Sequence, residues 1–257
     1  MNIGFIGVGH MGSAVAKVVA RSGDHDLLFD NYNEEKATRL QKQIGGQVAD
    51  KTTIADQADV IFLGVKPHLI SSVLNEVKND HALWISMAAG TTINQLAVYV
   101  PEQNILRMMP NTPVAISKGM ITYSTSNSDH ASLFEEMMAA SGELLRLPEE
   151  KIDPATAIAG SGPGYVFTFL ESLIDAGIQN GLSFDESKIL AAQTLIGASE
   201  MALNMDEHPA ELRHQVTSPG GSTIAGLSSL EKNNFRYATI EAVNETLKRT
   251  IELGEQN

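Results

Sequence analysis

The chain has 257 residues, 43% of them hydrophobic, which is enough to bury the core of one or two globular domains. Its formal net charge of −13 disfavours binding to nucleic acid or to an anionic membrane surface. The absence of cysteine excludes disulfides, thiolate catalysis and cysteine-ligated zinc, and it fits the reducing cytoplasm in which we expect the protein. No apolar run approaches the roughly 20 residues of a membrane-spanning helix. No basic leader precedes the first predicted strand, so we expect no secretion signal.

The chain opens with a predicted strand over 3–6, a glycine-rich turn and a helical pattern. The turn has the spacing Gly7-x-Gly9-x-x-Gly12, which is typical of dinucleotide binding when it lies between a strand and a helix. In that motif the first glycine makes a tight turn, the second lets backbone approach a pyrophosphate, and the third allows close helix packing. The predicted cofactor site therefore contains Ile6, Gly7, Val8, Gly9, His10, Met11 and Gly12.

The second predicted strand, over 26–29, ends at Asp30 and Asn31 and precedes a helix over Glu34–Ile44. An acid in this position binds the ribose 2′-hydroxyl of NADH and repels the 2′-phosphate of NADPH. The neutral Asn31 is able to hydrogen-bond such a phosphate. The two neighbours favour opposite cofactors, so the sequence leaves both NADH and NADPH open.

Further strands are predicted at 60–65, 83–87, 105–108, 120–123 and 143–147, with a helix over 129–140. Their alternation with helical patterns, and their continuous apolar runs, predict a Rossmann-type doubly wound α/β domain. Ligands of such sheets bind beyond the carboxyl ends of the strands, which adds two loops to the predicted cofactor site. These loops contain Gly64, Val65, Lys66 and Pro67, and Asn111. The alternative for Lys66 is a solvated lysine at a strand end, and the alternative for Asn111 is a place in a stiff connecting loop.

From residue 152 onward the pattern is helical, with helices predicted over 153–180, 184–203, 210–216, 223–232 and 235–253. We therefore predict a dinucleotide-binding domain over 1–150 and an all-α domain for substrate binding and dimerisation over 151–257. The first of these helices contains Gly160–Gly164, where Pro163 is expected to introduce a kink. Because the helices are apolar on nearly every side, we expect a partner subunit to bury much of their surface. The alternative is a compact monomeric bundle.

A hydroxyl-rich segment, Val216–Thr223, precedes the fourth of these helices. Ser218 is predicted to be its N-cap and Pro219 its first residue. Glycines followed by hydroxyls at a helix N-terminus form an anion site suited to a small carboxylate, here Gly220, Gly221, Ser222 and Thr223. The alternative is an ordinary capped helix. No His or acid cluster has the spacing of metal ligands, so no metal is expected.

Taken together and in this order, these motifs resemble pyrroline-5-carboxylate reductases over nearly the whole chain. The resemblance is carried by Gly7–Gly12, Val65–Pro67, Met109–Pro113, Gly160–Pro163 and Val216–Thr223. It implies reduction of the C=N bond of 1-pyrroline-5-carboxylate to L-proline with hydride from NADPH or NADH. It also implies homodimers that interlock through the C-terminal helices and often assemble into decamers.

The resemblance further implies roles for individual residues. The substrate carboxylate would lie on backbone N–H groups of Gly220–Thr223, with the Thr223 hydroxyl near the ring nitrogen and Glu207 as a nearby acid. Asn31 would lie at the adenosine ribose, which favours NADPH. The chain departs from the common pattern at Ser222, where threonine is usual, and at Gly164, where alanine is usual.

Two other functions share part of this pattern. A β-hydroxyacid dehydrogenase has the same glycine turn but needs a lysine base after its second glycine-rich break, and residues 163–177 contain neither lysine nor histidine. A non-catalytic nucleotide sensor would keep the glycine turn and would not need the hydroxyl-rich segment. The sequence favours the imine reductase, which requires no such base.

Overall fold

In the computed structural model, which describes residues 1–255, the chain forms two compact units. The first unit is Met1–Pro163 with the chain from Glu245 onward, and the second unit is Gly164–Asn244. Across the described residues, no helix combines the length and the apolar character needed to cross a membrane.

The first unit is built on one eight-stranded sheet. Its strands are β1 (Asn2–Ile6), β2 (Asp26–Asp30), β3 (Gln47–Val48), β4 (Val60–Leu63), β5 (Leu83–Ser86), β6 (Ile105–Pro110), β7 (Gly119–Ser124) and β8 (Gly142–Arg146). The order is β3-β2-β1-β4-β5-β6-β7-β8, and every neighbouring pair is parallel except β6 and β7. The predicted doubly wound α/β class is confirmed. The sequence prediction missed β3, because two residues give no readable pattern.

Helices cover both faces of this sheet. They are α1 (His10–Ser22), α2 (Glu34–Ile44), α3 (Lys51–Gln57), α4 (Ile70–Glu76), α5 (Ile93–Leu96), α6 (Ser128–Met138) and α7 (Ile152–Ala155). Successive strand residues enter opposite layers: Phe5 packs in a core with α1, α2 and α6, and Ile6 packs in a core with α3, α4 and α5. Burial on both faces explains why the strands read as continuous apolar runs.

The remaining helices are α8 (Gly162–Gln179), α9 (Phe184–Asn204), α10 (Pro209–Gln215), α11 (Ser222–Lys232) and α12 (Phe235–Glu255). The all-α character predicted for this part of the chain is confirmed. Helices α8 and α9 approach closely, since a Cβ added at Gly177 would lie 2.3 Å from the Ser187 Oγ. Yet only three residues of the second unit, all of which is described, are buried: Ile174, Ser187 and Ala191.

The single helix predicted over 153–180 is wrong, because the structure divides it into three pieces. Between α7 and α8 the backbone forms a π-helical turn over Thr156–Gly160. Pro163 is the second residue of α8, where the missing N–H of proline costs no helical hydrogen bond. The proline therefore lies in the first turn of a helix and does not kink one.

The boundary of the first compact unit also differs from the predicted boundary at residue 150. Arg107 on β6 is only 1% exposed, and its guanidinium pairs with the carboxylates of Asp153 and Glu149. Farther along the chain, the side-chain amide of Asn111 donates to the carbonyl of Ala159 at 3.0 Å. These contacts attach residues 149–159 to the sheet. The predicted boundary at residue 150 divides the chain by function, and it stays a prediction.

Candidate functional site

The glycine turn after β1 is held by contacts that exclude side chains. Gly7 has φ +98°, and its N–H donates to the carbonyl of Asp30 at 2.9 Å. A Cβ added at Gly12 or at Gly64 would lie 2.3 Å from the carbonyl oxygen of Gly7. The turn, the start of α1 and the loop after β4 therefore meet at one point, at the carboxyl edge of the sheet.

Gly9 differs from these glycines. A Cβ added there would meet no protein atom within 4 Å, and its φ of −69° is accessible to any residue. Gly9 is also the N-cap of the 13-residue α1, with no side-chain hydrogen bond to the first N–H groups. Unpaired N–H groups and a helix dipole facing open space are suited to a phosphate-containing ligand. The turn thus fits a dinucleotide cofactor.

The other predicted cofactor residues take different positions. Ile6 and Val8 are buried in the core, so only their backbone is available to a ligand. His10 is exposed and Met11 is partly buried at the start of α1. Lys66 is exposed after β4, directly before a 3₁₀ turn that begins at Pro67. The loop of Gly64 and Val65 lies against the glycine turn, since the Gly64 N–H donates to the carbonyl of Ile6 at 2.8 Å.

Asn111 does not match the predicted cofactor contact. It is buried, and its Oδ1 accepts from the N–H of Met120 at 2.9 Å while its amide nitrogen donates to Ala159. Its amide is engaged in joining β7 to the π-helical turn. These bonds favour the alternative of a stiff connecting loop for the side chain, and a cofactor contact of Asn111 stays a prediction.

At the end of β2, the side chain of Asn31 is turned back on its own loop. Its amide nitrogen donates to the carbonyl of Asn33, and Asn33 in turn caps α2 by accepting from the N–H of Glu35. Asp30 is half-buried, and this burial raises the pKa of its carboxyl. Asp50, which caps α3 after β3, is the charged neighbour that sequence reasoning missed. Asp50 would have been found from the sequence only if the two-residue strand β3 had been predicted.

The hydroxyl-rich segment forms a turn before α11. The N–H of Gly221 donates to the carbonyl of Ser218 at 3.1 Å, and Gly220 has φ +70°. Pro219 and Gly220 thus occupy the central positions of a type II turn. The prediction that Ser218 caps the helix and Pro219 begins it is wrong, because a left-handed Gly220 cannot continue a helix. The helix begins three residues later, at Ser222.

This correction leaves the start of α11 without a side-chain cap. The N-cap is Gly221, which offers no side-chain acceptor to the first N–H groups of the 11-residue helix. Ser218, Gly220, Ser222 and Thr223 are exposed around it. Glu207 is exposed before α10, and His208 caps that helix through its Nδ1, which accepts from Ala210 at 3.1 Å. Within residues 1–255, no hydrogen bond or ion pair joins Glu207 to the turn.

The second unit also exposes a regular apolar stripe. Ile189, Ile196 and Leu203 recur every seven residues on α9 and are 68%, 50% and 82% exposed. On α8, Val166 and Phe167 are exposed as well. Exposed apolar side chains that recur along one face of a helix are typical of a surface that associates with another protein surface.

Comparisons with known proteins agree with this geometry. A family model described as pyrroline-5-carboxylate reductase dimerisation matches residues 149–253, and one described as NADP oxidoreductase, coenzyme F420-dependent, matches residues 2–90. The chain is 34% identical to pyrroline-5-carboxylate reductase 3 of Xenopus laevis, with 99% of this chain and 96% of the relative covered.

Two crystal structures are similar over almost the full length. A pyrroline carboxylate reductase of Plasmodium falciparum, solved with NADP bound, has 34% identity and a TM-score of 0.89, covering 99% of this chain and 98% of that one. A 1-pyrroline-5-carboxylate reductase of Streptococcus pyogenes has 29% identity and a TM-score of 0.92, covering 98% of each chain. The resemblance inferred from the motifs is confirmed, and the chain belongs to the pyrroline-5-carboxylate reductase family.

Proposed function

We propose that this chain catalyses the NAD(P)H-dependent reduction of the C=N bond of 1-pyrroline-5-carboxylate to L-proline, the last step of proline biosynthesis. The observation that carries the proposal is the full-length family match, which covers 99% of the chain. The open glycine turn and the uncapped start of α11 supply the two binding features that the reaction needs. The first is suited to a dinucleotide, and the second to a small carboxylate.

In this proposal the substrate carboxylate lies on the backbone N–H groups of Gly220, Gly221, Ser222 and Thr223. The Ser218 hydroxyl adds a donor, and it lies over Gly221, where an added Cβ would be 2.3 Å from its Oγ. Backbone donors are suited to this chain, because a net charge of −13 repels an anionic substrate. The dipole of α11 attracts the carboxylate locally without an added lysine.

The reacting carbon becomes electrophilic when the imine nitrogen is protonated. A bound reduced nicotinamide supplies the hydride. Thr223 orients the ring nitrogen through its hydroxyl, and Glu207 is the acid proposed to stabilise the iminium charge. Because a hydroxyl is a weak acid, the proton arrives with the substrate or through water. Positioning is the largest contribution, since correct alignment lowers a barrier by roughly 7–11 kcal/mol.

An absorbance assay tests the proposal and separates it from its rivals. Purified protein is mixed with NADPH or NADH, and the loss of absorbance at the nicotinamide band is followed after 1-pyrroline-5-carboxylate is added. We expect consumption of cofactor only with the imine. Cofactor binding without consumption would support the sensor, and turnover of a β-hydroxyacid instead of the imine would support the dehydrogenase.

Replacing Thr223 with Ala tests the proposed orienting hydroxyl. We expect kcat to fall at least tenfold, which corresponds to about 1.4 kcal/mol of barrier, with little change in cofactor affinity. Ser228→Ala on the same helix is the matched control, since the Ser228 hydroxyl only donates to the carbonyl of Ile224. Unchanged turnover in Thr223→Ala would remove the residue from the mechanism.

The same proposal covers the assembly of subunits and the separate roles of the two parts of the chain. Residues 1–150 bind the dinucleotide, and residues 151–257 bind substrate and join two subunits through the C-terminal helices. Light scattering distinguishes this homodimer from the decamer that the family resemblance implies. A cytoplasmic location, which the cysteine-free composition favours, remains a prediction.

A further inference from the structure

A cavity of about 420 Å³ lies beside the glycine turn, where it is lined by residues of α1 and α2. Gly9 and His10 form part of its lining, so the cavity reaches the backbone that the turn leaves open to a ligand. The N–H of Gly7, in the same turn, donates to the carbonyl of Asp30 at the end of β2. In a doubly wound fold the adenosine ribose of a dinucleotide lies at that strand end. The cavity therefore borders the place where the ribose 2′ position is expected.

The charged side chains that line this cavity are all positive. Lys17 comes from α1, and Lys36 and Arg39 come from α2. Within residues 1–255, the ion pairs use other cations, which are Lys51, Arg107, Arg236 and Arg249. Like charges that are held together without a carboxylate repel one another, so a bound anion would stabilise this arrangement. It is a local concentration of positive charge in a chain whose formal net charge is −13.

The packing of two helices, and not a loop, places these cations. The lining residues of α2 have the spacing of one helix face, and they are Lys36, Arg39, Leu40 and Gln43. The lining residues of α1 have the same spacing, and they are His10, Ser13, Ala14 and Lys17. Leu40 is buried in the core to which Val15 of α1 also belongs. The cations of α2 are therefore held beside the glycine turn by the hydrophobic core.

The nearby acids lie outside this lining. Glu34 and Glu35, in the first turn of α2, line a neighbouring depression together with Arg39 and Lys42. Arg39 thus has acidic neighbours, whereas Lys36 lines only the cavity.

Asp30, the acid at the end of β2, is also absent from the lining. Burial raises the pKa of its carboxyl, and the Lys51 ammonium, the largest charge acting on it, lowers that pKa. The Asp30 carboxylate is therefore partly balanced by a cation of its own. Against this one acid the cavity sets three cations, so an acid at this strand end does not exclude a 2′-phosphate.

We infer that Lys36 and Arg39 bind the 2′-phosphate of NADPH and make this chain selective for NADPH over NADH. A phosphate accepts charge-assisted hydrogen bonds from lysine and arginine, and the ribose 2′-hydroxyl of NADH carries no charge for them to bind. The inference rests on the proposed function for the class of cofactor, and it deepens that proposal. The resemblance attaches this role to Asn31, but the Asn31 amide already donates to the carbonyl of Asn33.

Equilibrium binding without substrate tests the selectivity. Isothermal titration of the full-length protein with NADPH and with NADH gives two dissociation constants. We expect NADPH to bind at least tenfold more tightly to the unaltered chain. Lys36→Met should weaken NADPH about tenfold and change NADH less than twofold. Arg39→Met should weaken NADPH about threefold, because Glu34 and Glu35 already neutralise part of its charge.

Lys42→Met is the matched control. It removes the same charge from an exposed position of the same helix, and Lys42 does not line the cavity. We expect both dissociation constants to stay within twofold of those of the unaltered chain. A loss of NADPH affinity equal to that in Lys36→Met would reduce the effect to net charge and overturn the inference.

A second measurement needs no variant and no nicotinamide. Adenosine 2′,5′-bisphosphate and adenosine 5′-monophosphate differ only in the 2′-phosphate, and we expect the first to bind at least tenfold more tightly to the unaltered chain. Equal binding of the two nucleotides, or tighter binding of NADH than of NADPH, would overturn the inference.

Either result would leave the proposed reaction intact, since NADH also delivers hydride. Selective binding of NADPH without its consumption in the presence of 1-pyrroline-5-carboxylate would instead refute the reaction and leave the selectivity standing. The two failures are therefore distinguishable.

Discussion

The two compact units differ in how far their apolar side chains are buried. In the first unit, both faces of the sheet are covered, and large side chains such as Trp84 and Phe62 are almost completely buried. In the second unit, apolar side chains of similar size, including Phe167 and Ile189, are more than half exposed. The first unit therefore has a core of its own, while the second has an apolar surface.

This difference indicates which part of the chain depends on association. Burying an apolar side chain stabilises a protein by about 1.5–3 kcal/mol. The exposed side chains of the second unit contribute only a small part of that stabilisation. A second copy of the chain would recover it, in keeping with the family description of residues 149–253 as a dimerisation region. The following predictions test this contrast, beginning with the largest expected effect.

Placing a charge in the apolar stripe of α9 should abolish assembly. Ile196→Glu puts a carboxylate at the centre of the stripe, where association would bury it unpaired. We expect the mass from light scattering to fall to that of one chain, and the reductase activity to be lost with it. Val98→Glu is the control, since Val98 is an exposed apolar residue of the first unit. An unchanged mass in Ile196→Glu would show that this stripe is not the interface.

Removing one partner of the buried ion pair should destabilise the first unit strongly. Asp153→Ala removes the nearer of the two carboxylates that pair with Arg107, which is 1% exposed, and leaves only Glu149 at 3.5 Å. The expected loss is about 3–5 kcal/mol in the free energy of unfolding, measured in urea at fixed protein concentration. Glu252→Ala breaks an exposed pair with Arg249 and should cost less than about 1 kcal/mol. Equal losses in the two variants would contradict the role of Arg107 in attaching residues 149–159.

The glycine turn allows binding and stability to be separated. Gly9→Ala adds a Cβ that meets no protein atom, so the melting temperature should not change, while cofactor affinity should fall at least tenfold. Gly12→Ala adds a Cβ 2.3 Å from the Gly7 carbonyl oxygen and should lower the melting temperature. Full affinity in Gly9→Ala would show that no ligand approaches this backbone.

The smallest expected effect concerns alkaline pH and the first unit alone. Burial, followed by a hydrogen bond to Glu135, raises the pKa of Tyr123 to about 12. An unfolded tyrosine ionises near pH 10, so between these values the unfolded chain binds fewer protons and stability falls as pH rises. Urea unfolding at several pH values should show this loss in the unaltered chain and a shallower one in Tyr123→Phe. At neutral pH the variant should lose about 1 kcal/mol.

Much of the first unit could be predicted from local patterns. The helix over Glu34–Ile44 has the predicted bounds, and the first glycine of the turn adopts the positive φ that its role requires. Prediction was wrong where a local signal had two meanings. Pro163 lies in the first turn of a helix that it was expected to kink, and Ser218 is the first residue of a type II turn although it was expected to cap a helix. In each case the backbone of neighbouring residues decided between the meanings.

The candidate site, like the fold, could be predicted in part from local patterns. Gly9 and the segment from Gly220 to Thr223 lie at exposed helix starts, as their composition indicates. Asn111 was assigned to the cofactor because its loop follows a strand, but it is buried between Met120 and Ala159. Asp50 was not predicted, because β3 has only two residues and gives no pattern in the sequence. Both depend on partners distant in sequence, which no local pattern encodes.

Sequence patterns are sufficient to predict the alternation of strands and helices, the glycine turn and the unusually apolar C-terminal helices, because these depend on short-range sterics and on the period of hydrophobic residues. The folded chain is needed to show which polar groups are already paired and which glycines face open space. Those properties arise when segments far apart in the chain are brought within hydrogen-bond or Coulombic reach. Arg107 with Asp153 and Asn111 with Ala159 are two examples, each brought together by the folding of the chain.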